Sequence, residues 1–216
     1  MQSKFFAHRG LVNKNAPENS ILALKNAFEN KVKAVEFDIW YFQNELVVSH
    51  DQPQNKSLKL NDYLAVYGNK MEYWLDFKNL DRNNCDKALK QIKAITKDLK
   101  IKQNNLNFAP FITNFTEALE IYKIIKKYFR KARILAVKEK LKISDRKKYY
   151  QELQKNKIFG LSIHYKNIDS NFVKIFKNIE IFAWTINNNK NANYLAKIGV
   201  QNIAGDKIPK FNFLTI

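Results

Sequence analysis

Residues 34–40 read Ala-Val-Glu-Phe-Asp-Ile-Trp, in which apolar and acidic side chains alternate. Successive side chains of a β-strand point to opposite faces, so the apolar residues at the odd positions share one face. Glu36 and Asp38 share the opposite face. The run therefore predicts a β-strand with one apolar face and one acidic face.

Strand patterns alternate with amphipathic helix patterns from one end of the chain to the other. Such strict alternation argues for a parallel sheet, and eight predicted strands in 216 residues indicate a compact (β/α)8 barrel. The predicted strands are Lys4–Ala7, Ala34–Trp40, Glu72–Lys78, Asn107–Ile112, Arg133–Val137, Gly160–Tyr165, Ile179–Ile186 and Asn202–Gly205. The predicted helices are Ser20–Phe28, Leu60–Tyr67, Asp86–Leu99, Thr116–Phe129, Arg146–Lys155, Ser170–Phe176 and Asn191–Ile198.

One further apolar run, Leu46–His50, follows the second strand after the turn-like segment Gln43–Glu45. That gap is too short for a crossover helix, so the run is predicted to form a hairpin arm on the second strand. No internal repeat and no linker rich in proline, glycine or serine interrupts the pattern. The sequence therefore predicts a single-domain TIM barrel over residues 1–216.

Polar residues at the carboxyl ends of the strands are the candidates for function, because active sites of such barrels lie there. Glu36 and Asp38 are predicted to point inward, where two neighbouring carboxylates repel each other and are costly to desolvate. A divalent cation removes that penalty; the alternative is neutralisation by arginine or lysine. On the third strand, Asp76 can complete an oxygen-ligand set and Lys78 can hold a phosphate oxygen, unless the two simply neutralise each other.

Two of the three histidines also close predicted strands. His8 ends the first strand and His50 ends the hairpin arm, so both lie at the predicted functional end. Arg9 offers a forked donor suited to phosphate, and Gly10 permits a sharp turn or the close approach of a ligand. Two histidines beside three carboxylates favour catalysis over a structural role. His164 is predicted to point inward and stays outside the catalytic set.

The composition is strongly basic, with 38 lysines and arginines against 20 acidic residues and a formal net charge of +18. Such a field attracts phosphates on small molecules, lipids or nucleic acid, although lysines at helical spacing over residues 87–97 also indicate a solvated face. A single cysteine excludes an internal disulfide, and no run approaches the roughly 18 apolar residues of a membrane span. These features predict a soluble, cytoplasmic protein.

Several segments match a known family pattern in order and spacing. They are Ala7-His8-Arg9-Gly10, Ala16-Pro17-Glu18-Asn19-Ser20, Val35-Glu36-Phe37-Asp38 and Leu46-Val47-Val48-Ser49-His50-Asp51. Together they resemble the N-terminal signature of the glycerophosphodiester phosphodiesterases. Weaker similarities to later strands of that family are Leu75-Asp76-Phe77-Lys78, Ile112-Thr113-Asn114-Phe115, Trp184-Thr185-Ile186-Asn187 and Ala204-Gly205-Asp206.

The resemblance implies one divalent cation, calcium or magnesium, and hydrolysis of a glycerophosphodiester to sn-glycerol 3-phosphate and an alcohol. It also assigns roles by matching position. The implied metal ligands are Glu36, Asp38 and Asp76, the acid/base pair is His8 and His50, and the phosphate-binding residues are Arg9 and Lys78. Glu18 looks like a residue that orders its loop. Trp184 points inward, where it either fills the barrel or packs against the carbon atoms of the substrate.

Two departures from the family pattern concern the site. The third ligand is usually glutamate, whereas Asp76 is one methylene shorter. The usual inserted domain is missing, because only Gln52–Met71 separate the His-Asp motif from the third strand. The site is therefore expected to be open, and the sequence does not specify the alcohol that the substrate carries.

Two alternative functions follow from the same features. A related barrel would cleave a lysophospholipid or a glycan phosphodiester, and an inactive basic barrel would bind nucleic acid. The retained polar residues and the lack of an RNA-binding signature argue against the second. The predicted partner is a small-molecule phosphodiester, with no nucleic acid and at most weak association with an anionic membrane surface. The sequence predicts no particular oligomeric state.

Overall fold

The structure is a computed structural model that describes residues 3–54 and 56–208. The ends of the predicted domain, residues 1–2 and 209–216, lie outside the described part. The strands are β1 (Lys4–His8), β2 (Ala34–Phe42), β3 (Glu45–Val48), β4 (Leu58–Lys59), β5 (Glu72–Phe77), β6 (Leu106–Pro110), β7 (Arg133–Lys138), β8 (Gly160–His164), β9 (Glu180–Trp184) and β10 (Asn202–Gly205). The helices are α1 (Ile21–Glu29), α2 (Leu60–Ala65), α3 (Cys85–Asp98), α4 (Phe115–Tyr128), α5 (Arg146–Lys155), α6 (Ser170–Ile175) and α7 (Asn189–Lys197), with short 3₁₀ helices at Gly68–Lys70, Gln103–Asn105, Ile143–Asp145 and Tyr165–Asn167.

Eight parallel strands close into a barrel. Their order is β1-β2-β5-β6-β7-β8-β9-β10, and β10 returns to pair with β1. One of the helices α1 to α7 lies between each strand of this series and the next in the chain. The predicted single-domain (β/α)8 TIM barrel is therefore confirmed. Between β2 and β5, the described residues form only β3, β4, α2 and a 3₁₀ turn, where an inserted domain was predicted to be missing.

Two apolar layers stabilise the barrel. The outer layer lies between strands and helices and includes Phe37 of β2, as the alternation predicts. Inside the barrel, the rings of Phe6, Trp74 and Phe182 pack edge to face or tilted, with centroids 5.1 to 5.9 Å apart. Such aromatic contacts fill the interior, so the barrel has a packed core rather than a channel.

The strand β2 extends beyond the rim of the barrel. Its last residues, Ile39–Phe42, pair antiparallel with β3, which confirms the predicted hairpin arm. The arm ends at Val48 rather than at His50 as predicted, because the chain bends from His50 onward. The Ser49 hydroxyl donates to the carbonyl of Asp51 across 2.9 Å and holds this bend. His50 therefore follows the arm instead of closing a strand.

A charged network lies at the amino-terminal end of the barrel. Glu72, the first residue of β5, is 8% exposed and accepts hydrogen bonds from Lys4 (2.7 Å), Arg133 (2.8 Å) and Asn107 (3.0 Å). A buried carboxylate requires partners of this kind, because its desolvation is otherwise uncompensated. The network joins four strands at the end opposite to the candidate site.

Most predicted boundaries differ from the observed ones by one or two residues. β6 ends at Pro110 instead of Ile112, although Phe111 still donates its N–H to the carbonyl of Phe77 on β5 across 2.9 Å. β9 ends at Trp184 instead of Ile186, since the chain turns there toward Asn188, the N-cap of α7. Two-residue β4 produces no periodic pattern and was not predicted. Within the described residues, no helix combines the length and the apolar character needed to cross a membrane.

Candidate active site

A cavity of about 300 Å³, here called the central cavity, opens at the carboxyl end of the barrel. Most of the predicted site residues line it, namely His8, Arg9, Glu36, His50, Asp76, Lys78 and Trp184. Asp38 is 1% exposed and lies behind Arg9 and Lys78, which both contact its carboxylate. The structure thus brings all the residues predicted for the site to one place.

The register of the barrel strands explains this convergence. His8 of β1 lies level with Glu36 of β2, and Asp38 of β2 lies level with Asp76 of β5. Paired residues of adjacent strands point to the same face of a sheet. The alternation in β2 and β5 therefore places a histidine and three carboxylates on neighbouring levels of the interior.

The turn after β1 directs backbone and side chain toward the cavity. Arg9 and Gly10 have positive φ angles of 54° and 86°. A Cβ at position 10 would come within 2.6 Å of the Ala23 Cβ in α1, so only glycine fits there. The predicted turn is present, and it brings the backbone close to α1. The turn brings the N–H of Arg9 to Oε2 of Glu36, at 3.1 Å.

Glu36, Asp38 and Asp76 form an acidic cluster, in which one carboxylate oxygen from each residue lies within 4.8 Å of the other two. Burial raises the pKa of Glu36 well above its ordinary value, and the charges of Asp38 and Asp76 raise it further. Burial also raises the pKa of Asp76, although Lys78 opposes this effect. The protein alone therefore does not supply enough positive charge to compensate all three carboxylates.

Lys78 and Arg9 contact the acidic cluster directly. The Nζ of Lys78 lies 2.7 Å from Oδ1 of Asp38 and 2.7 Å from Oδ2 of Asp76. The Nε of Arg9 lies 3.0 Å from Oδ2 of Asp38, and its Nη1 donates to Glu18 across 2.8 Å. The internal neutralisation considered for Asp76 and Lys78 is therefore present. Lys78 and Arg9 also line the central cavity, where a phosphate can reach both side chains.

The acidic cluster fits a divalent cation. The Oδ1 of Asp76 is buried and has no hydrogen-bond partner among the described residues. Asn19 donates to Oδ2 of Asp38 across 2.8 Å and accepts from the backbone N–H of Asp38 across 3.1 Å, which fixes this carboxylate. Carboxylate oxygens are the ligands that calcium and magnesium prefer. Oriented carboxylates with an unused oxygen are thus suited to a hard cation.

His8 is held in one tautomer by Asp206, the residue that follows β10. Its Nδ1 lies 2.7 Å from Oδ1 of Asp206, whose other carboxylate oxygen accepts from Asn187. Burial would raise the pKa of Asp206, but the hydrogen bonds from His8 and Asn187 outweigh it and lower the pKa. An ionised carboxylate only accepts, so Nδ1 carries the proton. The Nε2 atom then faces Thr185 Oγ1 at 3.3 Å and Glu36 Oε2 at 3.8 Å.

His50 reaches the cavity from the hairpin arm. Its side chain is 41% exposed, compared with 14% for His8. Its Nδ1 lies 2.8 Å from Asp51, and its carbonyl accepts from the indole N–H of Trp40 across 3.3 Å. The two histidines therefore occupy unequal environments, one nearly enclosed and one accessible to solvent.

Trp184 separates the central cavity from a neighbouring one. It points inward as predicted, and its Nε1–H donates to Ser162 Oγ across 2.9 Å. His164 meets the Trp184 ring edge to face, with centroids 5.4 Å apart. His164 lines the neighbouring cavity and not the central one.

Sequence reasoning gave no role to several residues of the site. Asp206, Thr185 and Asn19 each lie in a segment that resembles the family. Their positions in these segments did not show which residues they contact. Glu139 also lines the central cavity. The available signal for Glu139 and Asp206 was that each directly follows a barrel strand, at the end where His8 lies.

A closed (β/α)8 barrel with histidine, carboxylate and basic side chains at the carboxyl ends of its strands belongs to the TIM-barrel enzymes. The sequence model of the Glycerophosphoryl diester phosphodiesterase family matches residues 8–142, more than half of the chain. The chain belongs to this family, and the predicted enzyme class, a glycerophosphodiester phosphodiesterase, is confirmed. Among curated proteins, no sequence matches the chain.

Solved structures share the fold at low sequence identity. A glycerophosphodiester phosphodiesterase from Parabacteroides distasonis has a TM-score of 0.75 and 22% identity over 95% of this chain and 93% of that chain. A phosphodiesterase from Oleispira antarctica, in complex with the product sn-glycerol-3-phosphate, has a TM-score of 0.77 and 18% identity over 95% and 93%. A calcium-dependent phosphoinositol-specific phospholipase C from Pseudomonas sp. has a TM-score of 0.64 and 10% identity over 99% and 91%.

Proposed function

We propose that the chain hydrolyses a glycerophosphodiester to sn-glycerol 3-phosphate and an alcohol, with one divalent cation, calcium or magnesium. The observation that carries this proposal is that His8 and His50 line the same cavity as Glu36 and Asp76 of the acidic cluster. Family membership supports the reaction class. The similar phosphodiesterase from Oleispira antarctica was solved with sn-glycerol-3-phosphate as its product, and this supports the glycerol moiety.

Glu36, Asp38 and Asp76 are the residues that would hold the cation. When bound, a divalent cation supplies positive charge for a phosphate oxygen and for the charge that develops in the transition state. Lys78 and Arg9 add two positive charges beside the same phosphate. Their contacts with Asp38 fix both side chains before the substrate arrives, so little ordering is needed on binding. The calcium-dependent phospholipase C of the same fold supports calcium as one of the two candidates.

His8 is suited to the role of general base. Its Nδ1–H is held by Asp206, so the lone pair on Nε2 is available to take a proton from the 2-hydroxyl of the glycerol moiety. This hydroxyl would attack the phosphorus and displace the alcohol, and water would then open the resulting cyclic phosphate to sn-glycerol 3-phosphate. Asp206 also stabilises the imidazolium that results. His50 would then protonate the leaving alcohol, and its more exposed position lets it exchange protons with solvent afterwards. The two histidines thus act as an acid/base pair.

Replacing either histidine tests the proposal. Purified wild type, His8→Ala and His50→Ala are assayed with a panel of glycerophosphodiesters in the presence of calcium or magnesium. Each variant is expected to lose roughly two to four orders of magnitude in kcat. Tyr194→Ala, which removes an exposed ring from α7, serves as the control and retains activity. Near-wild-type kcat in both histidine variants, with their thermal stability intact, contradicts the proposed chemistry.

Lysophospholipid hydrolysis is the second candidate, and Phe111 favours it. This ring lines the central cavity and is 39% exposed, so it offers an apolar surface beside the mouth where an acyl chain can lie. The two candidates are separated by kcat/KM for a lysophospholipid and for the glycerophosphodiester with the same head group. If the acyl chain lies on this ring, Phe111→Ala lowers kcat/KM for the lysophospholipid and leaves kcat/KM for the glycerophosphodiester unchanged. A cytoplasmic location, weak membrane association and the lack of a nucleic-acid partner stay predictions.

A further inference from the structure

A second cavity of about 420 Å³, here called the side cavity, adjoins the central cavity. Glu139 and Trp184 line both cavities, so the two share a wall. The side cavity lies at the carboxyl ends of β7 and β8, and its other lining residues are Lys140, His164, Lys166 and Asn167. A substrate longer than glycerol phosphate that is bound in the central cavity would extend across Trp184 into this space.

The charges of the side cavity favour an anion. Lys140 and Lys166 are exposed, and neither forms an ion pair within residues 3–54 and 56–208. Among the described residues of the lining, Glu139 is the one that is acidic. Burial and the charge of Lys166 lower the pKa of His164, so its imidazole is neutral near pH 7 and can donate a hydrogen bond. Two lysines therefore outweigh one glutamate in the lining of the side cavity.

The two lysines are carried by loops that Asn167 joins. Its side-chain amide donates to the carbonyl of Glu139 across 2.8 Å and to the carbonyl of His164 across 2.9 Å. Its Oδ1 accepts from the N–H of Leu141 across 3.1 Å. Arg146, which is 4% exposed, donates to the carbonyl of Asn167 across 2.8 Å. The backbone beside both lysines is thus held in place by four hydrogen bonds, three of them partly buried, which is what a preorganised binding site requires.

We propose that the side cavity binds a negatively charged group, a phosphate or a carboxylate, on the leaving alcohol of the substrate, with Lys140 and Lys166 as its ligands. This inference rests on the proposed function and adds the substrate class to it. Trp184 contacts the carbon skeleton between the two anionic groups. The site then discriminates against alcohols that carry only a positive charge, because two lysines repel them.

Three substrates that differ in the charge of the alcohol test the proposal. They are glycerophosphoinositol, glycerophosphoinositol 4-phosphate and glycerophosphocholine. Wild type is expected to show roughly tenfold higher kcat/KM for the phosphorylated inositol than for the unphosphorylated one, and the lowest value for choline. The preference shrinks as the ionic strength rises, since exposed charges are screened.

A matched pair of double variants identifies the residues. In Lys140→Gln/Lys166→Gln, the ratio of kcat/KM between the two inositol substrates is expected to fall toward one. In Lys142→Gln/Lys147→Gln, the same charge is removed from exposed positions outside both cavities, and the ratio is expected to stay at its wild-type value.

A binding measurement keeps this inference separate from the proposed function. Inositol 4-phosphate alone is titrated against the indole N–H signal of Trp184 in nuclear magnetic resonance spectra, with Trp184→Phe used for assignment. Saturable chemical-shift changes that are lost in Lys140→Gln/Lys166→Gln support the anion site. If such changes are seen but no diester is hydrolysed, only the proposed function is refuted. Hydrolysis without preference for the anionic alcohol overturns the inference and leaves the function intact.

Two further outcomes also decide the question. Preferential hydrolysis of glycerophosphocholine overturns the inference, because Glu139 and the ring of Trp184 would then recognise a cation instead. The absence of both hydrolysis and binding overturns the inference together with the proposed function.

Discussion

His8 donates its Nδ1–H to Asp206 across 2.7 Å, and this contact joins the end of the first barrel strand to the end of the last. Closure of the barrel is thus also what orients the imidazole, because β1 and β10 pair directly. Asn187 and Thr185 complete the arrangement from the loop after β9. The candidate base is therefore positioned by residues at and just beyond the carboxyl ends of β1, β9 and β10.

Asp206→Asn is expected to lower kcat by roughly one to two orders of magnitude, less than the loss of His8 itself. The amide can present either an oxygen or an N–H to Nδ1, so the tautomer is no longer fixed. KM should change little, since Asp206 is placed to orient the histidine and not to bind the substrate. Asp98→Asn, an exposed position at the end of α3, is the control. A kcat within twofold of wild type would show that His8 does not depend on Asp206.

Glu36→Gln is expected to affect stability in opposite directions with and without a divalent cation. In chelator the variant should melt at the same temperature as wild type or higher, because it removes a buried carboxylate that two neighbouring carboxylates repel. With calcium or magnesium at about 100 times Kd, wild type should gain roughly 2.7 kcal/mol and the variant much less. Thermal melts of both proteins, with exposed Glu29→Gln as control, measure this. An equal gain in both proteins would place the cation elsewhere.

Glu72→Gln is expected to destabilise the barrel without affecting catalysis. The substitution weakens the contacts with Lys4, Arg133 and Asn107 at the end opposite to the central cavity. A loss of about 2–3 kcal/mol in the free energy of unfolding is expected, because charge-assisted hydrogen bonds to a buried group are lost. Glu45→Gln breaks an exposed pair with Lys59 that solvent screens, and it should cost much less stability than Glu72→Gln. Urea unfolding compares the two; similar losses would contradict the prediction.

Asp169→Asn is expected to reduce stability near neutral pH and not in acid. Burial raises the pKa of Asp169, but the hydrogen bond and charge of Arg146 lower it overall. A carboxyl whose pKa is lowered in the folded state stabilises the fold above its unfolded pKa of about 3.9, and this contribution disappears as the pH falls through the folded pKa. Asparagine can still accept the hydrogen bond from Phe172 N–H that caps α6.

Melting curves of wild type and Asp169→Asn between pH 7 and pH 2 check this expectation. The difference in Tm should be constant near neutral pH and narrow as the pH falls below about 4. A difference that stays constant down to the lowest pH would mean that the pair with Arg146 contributes no charge-dependent stability.

Much of the fold followed from local sequence patterns. The alternation in residues 34–40 and 72–78 predicted which side chains face inward. A strand has a side-chain period of two, so once the apolar face is assigned to the helices, the other face must point into the barrel. Strand ends were less predictable, as Pro110 shows. A boundary depends on hydrogen bonds to neighbouring strands, which the local pattern does not contain.

The partners of the site residues could be predicted only in part. The positions of Glu36, Asp38 and Asp76 followed from alternation, whereas the pairing of His8 with Asp206 spans nearly the whole chain. Such a contact follows from barrel closure and not from spacing in the sequence. Lys78 was predicted either to hold a phosphate oxygen or to neutralise Asp76. Its contacts with Asp38 and Asp76 depend on distances between side chains on adjacent strands, which the local sequence pattern does not contain.

The hairpin arm divides the candidate acid/base pair between two parts of the molecule with different local stability. His8 lies on a strand that is paired on both sides, whereas His50 follows an arm that pairs with the end of β2 and with the two residues of β4. Local opening of the arm therefore removes one histidine while the barrel stays folded. Backbone amides of Leu46–Val48 should exchange with deuterium sooner than those of β1. Activity should accordingly be lost on heating at a lower temperature than the barrel melts.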